Sequence, residues 1–112
     1  MNNNEINYLI LEYLKAFNSQ DLIKLETLFS DNIILKDWER NVEGKIKVLE
    51  ENRKIFSSVD SIDFKTIKNF FFENTAICVL KITINNKETL DVVDIIEFNK
   101  ENKISRIVAY KG

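Results

Sequence analysis

The sequence predicts an α+β domain in which three helices cover one face of a curved, largely antiparallel sheet. Three observations carry that expectation. Apolar residues recur at a period of about 3.6 in two N-terminal segments and again between residues 45 and 57. Four strand-like runs close the chain, separated by asparagine-rich turns. Those runs are apolar on both faces, as in a sheet covered on both sides.

From Asn4 to Phe17, Ile6, Leu9, Ile10, Tyr13, Leu14 and Phe17 gather on one side of a helix, with Tyr13 near the centre of the stripe. Asn18-Ser19-Gln20 ends it. Ser19 or Asp21 then caps a short second helix through Leu22, Leu25, Leu28 and Phe29. Ser30-Asp31-Asn32 reads as a turn into a strand over Ile33 to Trp38, whose faces are Ile33, Leu35, Asp37 and Ile34, Lys36, Trp38. A polar connection from Glu39 to Glu43 leads through Gly44 to a third helix, Lys45 to Ser57. In that helix Val48, Leu49, Ile55 and Phe56 bracket Asn52, so an amide sits in mid-stripe. The remaining strands span Ile62 to Phe72, Ala76 to Ile84, Glu88 to Phe98 and Lys103 to Tyr110. Asn85-Asn86 and Asn99 to Asn102 form the turns, since asparagine tolerates positive φ. The element order is α-α-β-α-β-β-β-β over a single domain, 1–112.

One residue breaks this pattern. In the run Leu90 to Phe98, alternation puts Leu90, Val92, Asp94, Ile96 and Phe98 on one face, so Asp94 stands alone among four large apolar groups. A carboxylate there must neutralise, find a partner or line a wet pocket. Two readings follow: a structural acid satisfied by backbone donors or a tyrosine hydroxyl, and a site acid with a shifted pKa.

Composition narrows the functional classes. A net charge of −2 with acids and lysines interspersed argues against nucleic acid or an anionic membrane as partner. There is no histidine and only one cysteine, which excludes a zinc site and a serine–histidine triad. Cys78 lies inside an apolar strand and reads as a core residue. With two glycines and no proline there is no glycine-rich phosphate loop, and no cofactor is expected. The N-terminus lacks a secretion-signal pattern and no apolar run approaches a membrane span, so a cytoplasmic protein is expected. Three helices cannot cover both faces of this sheet. The second apolar face, with Val93 and Ile95 near its centre, therefore predicts a homodimer.

Tyr13-Leu14-Lys15-Ala16-Phe17-Asn18-Ser19-Gln20-Asp21-Leu22 followed by Leu28-Phe29-Ser30-Asp31-Asn32 resembles the opening helical hairpin of a known superfamily. Gly44 before the third helix and the closing Val93-Asp94-Ile95-Ile96-Glu97-Phe98 with Lys103-Ile104 fit the same pattern. The superfamily is the cone-shaped, NTF2-like (SnoaL-like) group of nuclear transport factor 2, ketosteroid isomerase and the polyketide cyclases, and the resemblance spans nearly the whole chain. Against ketosteroid isomerase, the oxyanion-donating tyrosine falls on Tyr13, the general base on Asp37 and the protonated aspartic acid on Asp94. Trp38 replaces the proline that follows the isomerase base, and Asn52 replaces a supporting tyrosine.

The resemblance implies proton transfer next to a carbonyl, with a base at the α-carbon and two neutral donors on the enolate oxygen. The expected ligand is a hydrophobic or aromatic small molecule. Asn52, Trp38, Phe17, Leu49, Phe56, Leu90 and Val92 are the ligand-binding candidates, with Leu9 and Phe72 as further lining residues. The alternative is a non-catalytic ligand-binding or protein-interaction module on the same fold. An epoxide-hydrolase-like site would need a water held by polar groups between two acids and an arginine, the last from Arg40, Arg53 or Arg106. Arg106 shares strand parity with Ile104 and Val108, which allows it to face inward, and the sequence leaves its orientation open.

Overall fold

The computed structural model describes residues 1–112 and contains three helices and one six-stranded sheet. Helix α1, Asn3–Asn18, starts from a capping box in which the Asn2 side chain accepts from the Glu5 amide and Glu5 returns the bond. It buries Ile6, Ile10, Tyr13, Leu14, Ala16 and Phe17, the stripe expected from the helical period. Ser19 closes it, its hydroxyl donating to the Lys15 carbonyl at 2.8 Å. Asp21 then caps α2, Leu22–Leu28, by accepting from the Lys24 amide at 3.0 Å.

Strand β1 runs Phe29–Lys36, beginning earlier than expected. Ser30-Asp31-Asn32 is an irregular stretch of strand rather than a turn, because the β1 pairing shifts register between Phe29 and Ile34. The polar connection contains a short strand, β2, Asn41–Glu43, which doubles back on β1 with Lys36 opposite Asn41. Gly44 then turns the chain with φ 98°, a value that only glycine adopts freely, and α3 follows as Lys45–Ser57. Strands β3, Ile62–Phe72, β4, Thr75–Ile84, β5, Glu88–Phe98, and β6, Ile104–Lys111, form a meander. Asn85, Asn86 and Asn102 hold positive φ in its turns.

The sheet order is β2-β1-β6-β5-β4-β3, and only β1 with β6 is parallel. Two bulges bend it. One falls between Thr66 and Lys68 in β3, the other at the β5–β6 pairing beside Glu97 and Phe98. A bulge inserts an unpaired residue and sharpens local twist, and here the result is a cupped sheet with the helices in its concavity. The core lies there: Ile10, Leu25, Phe29, Leu80, Ile96 and Phe98 are almost wholly buried. Cys78 sits among them, and burial pushes its thiol up to about 12, as suits an inert core thiol.

The bulges settle one open orientation and reverse one sequence expectation. The shift in β6 turns Arg106, whose side the sequence leaves open, outward, half-exposed and opposite Glu97 at 3.9 Å. Alternation from Ile62 points Phe72 inward, but the shift in β3 leaves it 72% exposed on the outer face. That outer face carries the half-buried Ile77, Val79, Val93 and Ile95, with Phe70 and Tyr110 exposed beside them. No helix is long and apolar enough to cross a membrane.

Asn18 fastens the end of α1 to the sheet. Its amide nitrogen donates to the Phe64 carbonyl at 3.2 Å, and its oxygen accepts from the Phe64 amide at 2.6 Å. The side chain thereby satisfies both polar groups of one residue on the outermost strand, β3. Asn18→Ala should lower unfolding free energy by about 1 kcal/mol in a denaturant titration, the net worth of exposed neutral hydrogen bonds. An unchanged midpoint would show that solvent replaces the tether without loss.

Candidate functional site

The concavity does not fill completely. Between α1, α3 and the inner sheet face lies a cavity of about 300 Å³, at the small end of the range for ligand sites. Its rim carries Trp38, Glu39, Arg40, Ser58, Glu88 and Lys111, and its apolar walls include Leu35, Ile55, Phe64, Ile82, Leu90 and Val92. Tyr13, Asn52 and Asp94 are the deeply buried polar residues among the lining groups.

Three different elements deliver the three candidate catalytic residues. Tyr13 reaches the cavity from mid-α1, where its ring packs against Phe17 at 5.8 Å and Phe29 at 6.4 Å. Asp94 comes from mid-β5, directly opposite Cys78 on one side and Ala109 on the other. It is 3% exposed, and burial first, the charge of Asp37 second, raise its carboxyl to about 7. Burial also pushes the Tyr13 hydroxyl well above the ordinary tyrosine range, with Asp94 and Cys78 adding to the effect. Below about pH 7 the inner wall therefore presents two O–H donors in an apolar pocket, with no hydrogen bond stabilising the ionised form of either.

Asp37 is placed differently, just past the end of β1, where it organises the turn into β2. Its Oδ1 accepts from the amides of Glu39 at 2.8 Å and Arg40 at 2.7 Å, while its amide donates to the Arg40 carbonyl at 2.9 Å. Its Oδ2 accepts from Arg40 Nη1 at 3.1 Å. Arg40 in turn reaches Glu51 with Nε at 3.3 Å, anchoring the turn to α3. Asp37 thus has a fixed orientation, with lone-pair capacity left on Oδ2. The sequence reading missed this Arg40 partnership. The Asp37-Trp38-Glu39-Arg40 spacing could have revealed it, because an aspartate followed within three residues by free amides is an Asx-turn pattern.

Lys111 was also missed. Its Nζ lies 5.6 Å from the centre of the Trp38 ring, and the two residues sit together at the rim. With Trp38 occupying the position after Asp37, the mouth carries an indole and a cation.

Of the ligand-binding candidates, Asn52, Trp38, Phe17, Leu90 and Val92 line the cavity. Leu49 and Phe56 do not. Phe56 packs its ring edge-on against Phe17 at 4.9 Å and so supports the wall from behind, and Leu49 packs against the core. Leu9 belongs to the core periphery, and Phe72 lies on the opposite face of the sheet. The α3 stripe is broad, and only its Asn52, Ile55 and Ser58 side reaches the cavity. Arg106 points away from it, which leaves Arg40 as the arginine at the site. No three carboxylate or thiol groups converge in a way that would hold a metal ion.

This architecture, three helices in the concavity of a bent and mostly antiparallel sheet, is the NTF2-like, SnoaL-like fold. A SnoaL-like protein of unknown function from Burkholderia thailandensis superposes with a TM-score of 0.89 at 12% identity, covering 100% of this chain and 98% of its own. A protein from Kribbella flavida, provisionally described as a ketosteroid isomerase, gives 0.85 at 14% identity over 97% of this chain and 78% of that one. A de novo designed protein with a curved β-sheet matches at 0.82 and 18% identity, over 100% of this chain and 88% of the design. No protein-family model matches the sequence, and no curated protein matches it either. Identities this low, one of them to a designed chain, show the fold and leave function to the site.

Proposed function

We propose that this chain is a small-molecule-binding SnoaL-like domain that moves a proton next to a carbonyl through an enolate. Asp37 is the base; Tyr13 and protonated Asp94 donate to the enolate oxygen. The observation that carries the reading is the placement of Asp94, a carboxyl 3% exposed in the wall of an apolar cavity that Tyr13 also lines, where burial raises it to about 7. Two neutral donors in a low-dielectric pocket favour an oxygen that gains negative charge during reaction over one that does not. The charge on Asp37 helps keep Asp94 protonated, so base and donor assignments reinforce each other. The ligand is hydrophobic or aromatic, given the lining by Phe17, Phe64, Leu90 and Val92.

2-Naphthol, whose hydroxyl sits on a planar ring as an enol's does, tests the arrangement without a known substrate. Tyr13→Phe should weaken its binding about tenfold, the order expected for one hydrogen bond to a partly charged oxygen. Asp94→Asn should weaken it less, because an amide still donates. Binding that ignores both substitutions would remove the oxyanion site and favour the second reading, a ligand-binding or interaction module without catalysis. That reading has its own support in Asp37, whose carboxylate is already engaged by two amides and Arg40.

The outer sheet face supports a homodimer, since Val93, Ile95, Phe70 and Tyr110 present an apolar surface that no helix covers. Sedimentation should give twice the chain mass of 13.2 kDa, and Val93→Lys should give the single mass. A wild-type protein that stays monomeric at micromolar concentration would end this proposal. A cytoplasmic location fits a chain whose one cysteine is a buried free thiol.

A further inference from the structure

Asn52 is 3% exposed and lines the cavity, yet its Nδ2 has no hydrogen-bond partner in the protein. Two other buried polar atoms share that condition, Gln20 Nε2 and Asn69 Oδ1, and neither residue lines the cavity. Asn52 stands one helical turn from Val48 on one side and Phe56 on the other, both buried. The local pattern would be completed by leucine. A buried amide with an unpaired donor lowers stability, whereas an apolar group of the same shape would not. The amide therefore makes physical sense when something enters the cavity and pairs with it. Tyr13 and Asp94 come from α1 and β5, while Asn52 comes from α3, so it offers a polar contact from a separate wall.

We propose that Asn52 is a specificity-determining residue that hydrogen-bonds a second oxygen of the ligand. The preferred substrate class is then an enolisable carbonyl compound with a further hydroxyl or carbonyl group, such as a hydroxy-ketone or a β-dicarbonyl, and a simple hydrophobic ketone binds about tenfold less tightly. The inference rests on the enolate reading of the cavity, which places the first oxygen at Tyr13 and Asp94. An amide carries both donor and acceptor, so it meets a hydroxyl in either orientation and rejects a methyl in the same place by leaving its own groups unpaired.

The test compares 2,3-, 2,6- and 2,7-dihydroxynaphthalene with 2-naphthols methylated at the same second position. At least one diol should bind wild type about tenfold more tightly than its methyl counterpart, and Asn52→Leu should abolish that preference by weakening the diol and tightening the methyl-naphthol that the amide rejects. Asn52→Leu should also raise the melting temperature of the ligand-free protein, which replacing a structural amide would lower. Asn52→Ala keeps the binding comparison available where leucine does not fit. A diol preference absent from wild type, or surviving in both variants, overturns the proposal. So does a lower melting temperature for Asn52→Leu in a protein that remains folded. Tyr13→Phe measured on the methyl-naphthols separates the two failures. If it weakens them and no diol is preferred, only the Asn52 assignment falls. If it has no effect, the enolate reading falls first.

Discussion

Asp94→Asn should unfold at a higher temperature than wild type at pH 8 and at nearly the same temperature at pH 4. The folded protein holds the Asp94 proton up to about pH 7, whereas an unfolded aspartate releases it near its ordinary value of 3.8. Between those limits the folded state binds more protons than the unfolded state, so stability falls as pH rises through this window. Below about pH 4 both states are protonated and the group contributes nothing. Above about pH 7 the folded protein carries an ionised carboxylate among Val92, Ile96 and Cys78. Each pH unit of that window is worth about 1.4 kcal/mol, so the wild-type penalty reaches about 4 kcal/mol. Asparagine keeps the shape and removes the ionisation. Melting curves across pH 4 to 8 should therefore diverge by several degrees per kcal/mol at the alkaline end. Parallel curves would mean that Asp94 ionises normally, and the protonated-donor role would fail with them.

A stabilising substitution that damages function is what a site acid predicts and a structural acid does not. A structural carboxylate is held by donors that favour its charge, and its replacement destabilises the fold. No hydrogen bond helps Asp94 to ionise. The chain therefore carries, at the centre of its sheet, a group whose burial opposes folding at neutral pH. Such conflicts between local chemistry and global fold are expected at functional positions.

Most of the fold was legible because period and caps agree. The α1 stripe, the Asp21 cap, Gly44 before α3 and the asparagine turns each point to the observed element. Asp94 was legible too, since β5 is regular from Glu88 to Glu97 and alternation holds along it. The strand residues whose face differs from simple alternation have one physical source. Period-two reading assumes an unbroken ladder, and each bulge flips every later side chain to the other face. Phe72 follows the β3 bulge and lies on the opposite side from the one its parity gives, and Arg106, whose side the sequence leaves open, follows the β6 bulge and faces outward. Nothing in Thr66-Ile67-Lys68 or Ser105 marks a bulge, because neither stretch contains glycine. Strand β2 was missed for another reason. Three residues are too few to show alternation, and the strand exists because the Asp37 turn aims Asn41 back at Lys36.

Asp37→Asn should have the largest effect on chemistry, slowing proton exchange at a substrate α-carbon by about 10²- to 10⁴-fold, the usual contribution of a positioned general base. 2-Tetralone in deuterated water supplies the readout, since loss of its α-hydrogen signals reports enolisation directly. The asparagine oxygen can still accept from the Glu39 and Arg40 amides, so the turn between β1 and β2 should persist. Its new amide group faces Arg40 Nη1, donor against donor, and Arg40 should lean further toward Glu51. 2-Naphthol binding should survive, because Tyr13 and Asp94 remain. A second consequence separates loss of the base from collapse of the site. The Asp37 charge helps hold Asp94 protonated, so removing it should lower the pH at which Asp94 titrates in a carboxyl-resolved NMR experiment. Slow exchange together with intact naphthol binding and a downward-shifted Asp94 would place Asp37 as the base, electrostatically coupled to the donor. Undiminished exchange would remove it from that role, and the pocket would then be read as a binding site whose aspartate serves the turn.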